Sequence, residues 1–276
     1  MASSGGEPLA VERKGLLPAS PFAGLRSTLD LLVSLTASDL RSRYGRGRWV
    51  VVRWLFEPFA LVGVYLVLTA VVLDRPGHAP GLSLACAIVP FQLVMMSLSN
   101  SLTAVTVRRP IITNMAFRRT LIPLSSVLTE SASFVASFSV IAVMMAVYGV
   151  APTVEILWLP VVVAVTAVVA VAFAYPGVLL GVWFWELRPY GVSLVRVLFF
   201  MAPGLVPLSQ TSSRTSEYLK LNPLTGLFES FRDVFLYGRN PAAWQLLLPL
   251  AFAAVVLAIF VPIYRRDQRE FAKVVE

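Results

Sequence analysis

The fold class this sequence predicts is an all-α membrane protein with six transmembrane helices, and three observations lead to it. Of 276 residues, 57% are hydrophobic and only 14% charged, with a mean hydropathy of +0.77, which removes the chain from the range of soluble domains. Apolar stretches recur at 49–73, 82–107, 121–150, 156–185, 192–208 and 242–264, each long enough or nearly so to cross about 30 Å of hydrocarbon. Basic residues gather at the ends of those stretches, so the net charge of +8 reads as membrane topology and not as a nucleic-acid partner. An N-terminal amphipathic interface helix precedes the first stretch, and a short re-entrant or surface helical segment precedes the last.

Residues 1–24 are rich in Gly, Ser and Pro and lack the apolar core of roughly 7–15 residues that a signal peptide needs, so a flexible cytoplasmic tail is expected. In 25–48, Leu29, Leu32, Val33, Thr36 and Leu40 recur at helical spacing, while Asp30, Ser34, Ser38, Asp39 and Arg41 fall off that stripe. Such a helix lies on a membrane, and Arg41, Arg43, Arg46 and Arg48 suit anionic headgroups. The six-span domain covers 49–264 and a second cytoplasmic tail 265–276. Both termini then lie inside, together with Arg108, Arg109, Arg118, Arg119, Arg188, Arg265, Arg266, Arg269 and Lys273, while Arg75, Arg214, Lys220, Arg232 and Arg239 lie outside. The chain is thus expected to be a multi-pass protein among lipids with both termini cytoplasmic.

Two connections are more than loops. In 107–120, Pro110 and Pro123 bracket a partly apolar centre, a candidate short helix from Ile111 to Phe117 on the cytoplasmic face. In 209–240, Leu224, Leu227, Phe228, Phe231 and Phe235 share a helical face, with Asn222-Pro223 as the start and Gly238 as the stop. That helix is too short to span and too apolar for water, so it dips into the outer leaflet or packs on the bundle; its Pro- and Gly-punctuated pattern is also that of re-entrant segments, which need protein partners for their backbone groups.

Catalytic chemistry is missing from the sequence. It holds no G-x-x-x-x-G-K-[ST] phosphate loop, no H-E-x-x-H and no paired Asp motif to hold a metal, and its 15 Asp and Glu are scattered. One cysteine, Cys86, and one histidine, His78, give neither a disulfide nor a metal cluster. No catalytic residue, metal ligand or cofactor is therefore expected in this chain. A sugar transferase would need a carboxylate cluster, and an ion-coupled carrier would need several midplane carboxylates where only Glu130 fits. Charges inside the hydrocarbon cost about 3 kcal/mol or more and call for a partner or a wet surface. Glu130 and Arg196 lie at compatible depths, about 16 and 12 Å up their helices, and Arg53 and Glu57 stand four apart on one face. These groups serve either as ion pairs or in substrate passage. Phe91, Phe134, Phe138, Phe199 and Phe200, like Trp183, Trp185 and Tyr190, serve either in packing or as faces on which sugars stack.

Taken in order, these parts resemble the permease subunits of type 2 ABC exporters for lipid-linked polysaccharides such as O-antigen, capsule, teichoic acid and cell-wall galactan. Asp39, Leu40, Arg43 and Tyr44 match a D-L-x-x-R-Y motif at the end of the interface helix, with Trp54, Glu57 and Pro58 following where the family tends to have a Trp and a Pro. Asn114, Phe117, Arg118, Leu121, Pro123, Leu124 and Ser125 match the cytoplasmic loop, Arg118 standing where the family has a proline after the phenylalanine. Asn222, Pro223, Leu224, Thr225, Glu229, Phe231 and Arg232 match the outer N-P-L-T-x-x-x-E-x-F-R segment.

The resemblance implies a homodimeric permease driven by a separate cytoplasmic ATP-binding subunit that carries the ATP and Mg, with a lipid-linked polysaccharide as substrate. It implies ATPase coupling through Asp39, Arg41, Arg43, Tyr44, Arg108, Arg109, Asn114, Phe117, Arg118 and Arg119. Phe91, Glu130, Phe134, Phe138, Arg196, Phe199 and Phe200 would line the path. Asn222, Pro223, Leu224, Thr225, Phe228, Glu229, Phe231 and Arg232 would form the outer gate. A drug or small-lipid exporter of the same superfamily is the near alternative, and the absence of large outer domains favours glycans. Usage heavy in Ala, Val, Arg and Pro with few lysines looks like a high-GC genome, which points to a galactan cell-wall precursor as cargo.

Overall fold

The computed structural model of the chain describes residues 23–44, 49–68, 79–109, 119–268 and 271. Every regular element among the described residues is helical. Four helical segments, Pro80–Val107, Leu121–Tyr148, Val154–Trp183 and Ala243–Asp267, are long and apolar enough to cross a membrane. They form α3 (Pro80–Val107), α4 (Leu121–Tyr148), α5 (Leu159–Trp183, entered through the 3-10 turn Val154–Trp158) and α9 (Ala243–Asp267).

The hub is α3. Its residues from Gly81 to Val94 are all buried, and α2 (Trp49–Val67), α4 and α5 pack around it. The α3–α5 contact is close because α5 presents Gly177 and Gly181 to it, the small-residue spacing that lets membrane helices approach. A Cβ on Gly181 would stand 1.9 Å from the carbonyl oxygen of Leu102, so only glycine fits there.

A helix, α1, covers Ala23–Tyr44, largely within the segment read as an interface helix. Leu32 and Leu35 are buried and the helix rests on α4, whereas Val33 is 67% exposed. Packing on α4 turns Leu32 and Leu35 inward and leaves Val33 on the outer side of the helix.

The fifth apolar stretch, expected to be continuous over 192–208, is broken. The helix α6 covers Arg188–Met201, 14 residues and about 21 Å, and the chain then turns through buried Ala202, Pro203 and Gly204 to a 3-10 turn at Leu208–Gln210. Pro203, Gly204 and Pro207 are the breakers.

Beyond the short α7 (Ser213–Lys220), α8 (Pro223–Arg232) begins where the sequence indicates. The Asn222 side chain caps it by accepting a hydrogen bond from the Leu224 N–H at 3.0 Å, and Pro223 occupies the first turn. A π-turn, Asp233–Tyr237, continues it to Gly238, whose φ of 58° gives the left-handed stop. All residues from Pro223 to Leu236 are buried, and α8 packs between α3 and α9. Of the two expected placements, the bundle-packed one is found.

Candidate functional site

Polar groups collect at the two ends of the bundle. At one end, where α3 finishes and α4 begins, Arg108 is buried and forms an ion pair with Asp39 of α1. A second guanidinium nitrogen of Arg108 donates to Ser126 Oγ on α4 at 3.3 Å, so one side chain joins three helices. Below the pair lies a cavity of about 280 Å3, lined by Asp39, Asn100, Thr103, Arg108, Ser126 and Thr129 together with Ala104 and Val107. Asn100, one of the lining residues, donates its amide to the buried carboxylate of Glu130, which lies outside the lining. Arg119, at the start of α4, donates to the carbonyl of Gln268 after the last helix, while Tyr264 Oη donates to the Arg119 carbonyl at 2.8 Å. Arg188 donates to the Gly181 carbonyl, at 2.6 Å from Nη2, and to Thr106 Oγ1 at 3.3 Å, closing the end of α5 against α3.

At the other end Arg232 is fully buried, and each of its three guanidinium nitrogens donates. Its Nε donates to Ser83 Oγ at 3.0 Å, Nη1 to the Pro203 carbonyl at 2.6 Å and to Glu229 at 2.7 Å, and Nη2 to the Gly204 carbonyl at 2.9 Å. Glu229 also accepts from the Leu208 N–H at 3.1 Å. The guanidinium thereby fastens α8 to the start of α3 and to the turn that breaks the fifth stretch. Asp233 accepts from Gln245 at 2.7 Å and Arg239 at 2.6 Å, which joins α8 to α9. Burial pushes the Asp233 carboxyl above the usual carboxylate range, opposed by those two hydrogen bonds.

No protein-family model matches the chain. It is 30% identical over 246 residues to the O-antigen export system permease protein RfbA of Myxococcus xanthus, a match covering 88% of this chain and 94% of that protein. The chain belongs to the O-antigen export permease family. An RfbA permease of Klebsiella pneumoniae is 26% identical over 255 residues, covering 89% of this chain and 95% of its own length. A second from the same species is 26% identical over 212 residues, with 76% and 81% covered.

In this permease the expected site residues separate by environment. Asp39 and Arg108, expected to face an ATPase, engage each other, and Arg119 is turned toward the end of α9. Arg41 and Arg109 are exposed. Asn114, Phe117 and Arg118 lie outside the described residues, as do the side chains of Arg43, Tyr44, Arg53, Trp54 and Glu57.

Phe91 packs on Phe199 with ring centroids 4.3 Å apart, and Phe199 on Phe228 at 5.6 Å. Phe134, Phe138 and Phe231 form a second group, with Phe134 to Phe138 at 5.0 Å and Phe138 to Phe231 at 6.1 Å. Both groups are packing between helices of one chain, and Phe200 alone of the expected path aromatics is exposed. Arg196 is exposed on α6 while Glu130 is buried, and no ion pair among the described residues joins them. Helical rise gives depth along a helix but not the direction a side chain faces.

Ser83, Asn100, Ser126 and Gln245 carry polar contacts that the sequence reading passed over. Their signal is a polar residue inside an apolar run, and Asn100 and Gln245 are the clearest cases.

The Asp39–Arg108 pair yields a direct expectation. Asp39→Asn and Arg108→Gln should each lower stability by about 1–3 kcal/mol, because each removes one half of a mostly buried, charge-assisted contact. The double variant should lose less than the sum of the two. Thermal unfolding of the four proteins in detergent measures this, and strict additivity would show that the pair does not hold α1 to α3.

Proposed function

We propose that the chain is the membrane subunit of an ATP-driven exporter that moves a lipid-linked polysaccharide, a galactan precursor in our reading, across a bacterial cytoplasmic membrane. The observation that carries this is the near end-to-end similarity to an O-antigen export permease. In this reading α2 and α6, with their flanking residues, complete six crossings, both termini are cytoplasmic, and two copies flank the path. A separate chain binds and hydrolyses ATP with its Mg, in keeping with a sequence that holds no phosphate loop. That subunit docks on Arg41, Arg43, Tyr44, Arg109, Asn114, Phe117, Arg118 and Arg119.

The geometry supports a division of labour within the coupling set. Asp39 and Arg108 transmit displacement and do not contact the ATPase, since their ion pair makes a push on α1 a push on the hub helix. Arg196 and Phe200, exposed on α6, face the path between the copies. At the outer side Asn222, Glu229 and Arg232 hold α8 rigid beside the exit.

Reconstitution tests this. The purified chain alone should hydrolyse no ATP, and liposomes holding it with its ATP-binding subunit should deliver lipid-linked glycan to the far leaflet only when ATP is supplied. Transfer of sugar to an acceptor by the chain alone would overturn the reading in favour of an enzyme. A complex that moves small apolar drugs but no glycan would overturn the cargo.

A further inference from the structure

We propose that the cavity between α1, α3 and α4 is a carbohydrate subsite that takes one sugar ring of the glycan, an inference that rests on the export reading above. Its polar wall is mixed and nearly neutral. Asp39 and Arg108 offset each other, and the remaining polar lining of Asn100, Thr103, Ser126 and Thr129 is uncharged.

The unused hydrogen-bonding capacity on that wall is of both kinds. Arg108 Nε is buried with no partner, and the Asn100 amide spends one of its two N–H bonds on Glu130. The Thr103 hydroxyl donates to the Asn100 carbonyl at 3.3 Å and the Thr129 hydroxyl to the Ser125 carbonyl at 2.9 Å, which leaves their oxygens as acceptors. A sugar hydroxyl both donates and accepts, so vicinal hydroxyls meet such a wall group by group. A phosphate only accepts, and would face Asp39 and the threonine oxygens as well as the arginine. A metal cation would face the guanidinium.

The size agrees. About 280 Å3 stands just below the usual range for small-ligand pockets, the scale of a ring and not of a polymer. Ala104 and Val107 offer an apolar strip for the C–H face of a ring, and the exposed Thr103 and Val107 mark the mouth.

The test uses the whole complex in inside-out vesicles that contain its lipid-linked glycan, with ATP withheld. Cys86 is fully buried, so Thr103→Cys provides a selectively reactive thiol for a benzophenone maleimide. Irradiation should give an adduct carrying glycan at position 103, in about tenfold excess over the same label on Val147→Cys, an exposed position at the far end of α4. Val107→Trp, which covers the mouth without entering the core, should abolish the adduct while the complex still assembles. Adducts carrying phospholipid alone, equal labelling at 147, or no adduct in vesicles that export on adding ATP would overturn the subsite and leave the function standing. Vesicles that contain the intact complex and never export would overturn the function instead.

Discussion

Arg232→Met is expected to cost the permease most of its folded yield. Removing one member of a buried ion pair costs about 3–5 kcal/mol, because Glu229 would remain charged in the core without its partner. The carbonyls of Pro203 and Gly204 would lose their donors at the same time. Arg232→Lys should recover only part of the loss, since one ammonium cannot reach acceptors spread around a planar fork. At about 2–4 °C per kcal/mol, the melting midpoint in detergent should fall by more than about 6 °C in the methionine variant. A midpoint within about 2 °C of the parent would show that the guanidinium is not what fastens α8.

Gly181→Val should be nearly as damaging for a different reason. The first atom of any side chain would meet the Leu102 carbonyl oxygen at 1.9 Å and its Cα at 2.8 Å, and backbone in the middle of a helix cannot swing aside. Separating α5 from α3 opens the largest contact in the bundle, so a loss at or above the usual 1–3 kcal/mol of overpacking, or about 3 kcal/mol, is expected. Gly63→Ala is the control, since nothing lies within 4 Å of its added carbon. Equal melting of Gly181→Val and Gly63→Ala would contradict the close approach.

Legibility varied with the range of the interaction. Asn222-Pro223 and Gly238 bounded the outer helix correctly because caps are local, acting within a turn of the residue that carries them. The destination of that helix was not legible: an apolar face of Leu224, Leu227, Phe228 and Phe231 suits lipid or protein equally. The deciding contacts are Ser83, 149 residues away, and two carbonyl groups that leave no trace in a residue pattern. Pro203, Gly204 and Pro207 mark the break of the fifth stretch in the sequence, and the high hydropathy around them masks it. In the coupling set, Asp39 and Arg108 carried visible charges whose partners were not visible, since two motifs far apart in sequence share one ion pair. The aromatics behaved the same way: residue type marked Phe91 and Phe199 as candidates, and only packing showed that they face each other.

The reach of Arg232 back to Ser83 also sets an order of events at the ribosome. The start of the hub helix enters the membrane early in synthesis, yet the guanidinium that occupies its Ser83 is made 149 residues later. Until then the nascent chain holds Ser83, Pro203 and Gly204 without this donor. The contacts of Arg232 to Ser83, Pro203 and Gly204 can therefore form only once α8 has been made, and a chain released before position 232 lacks them.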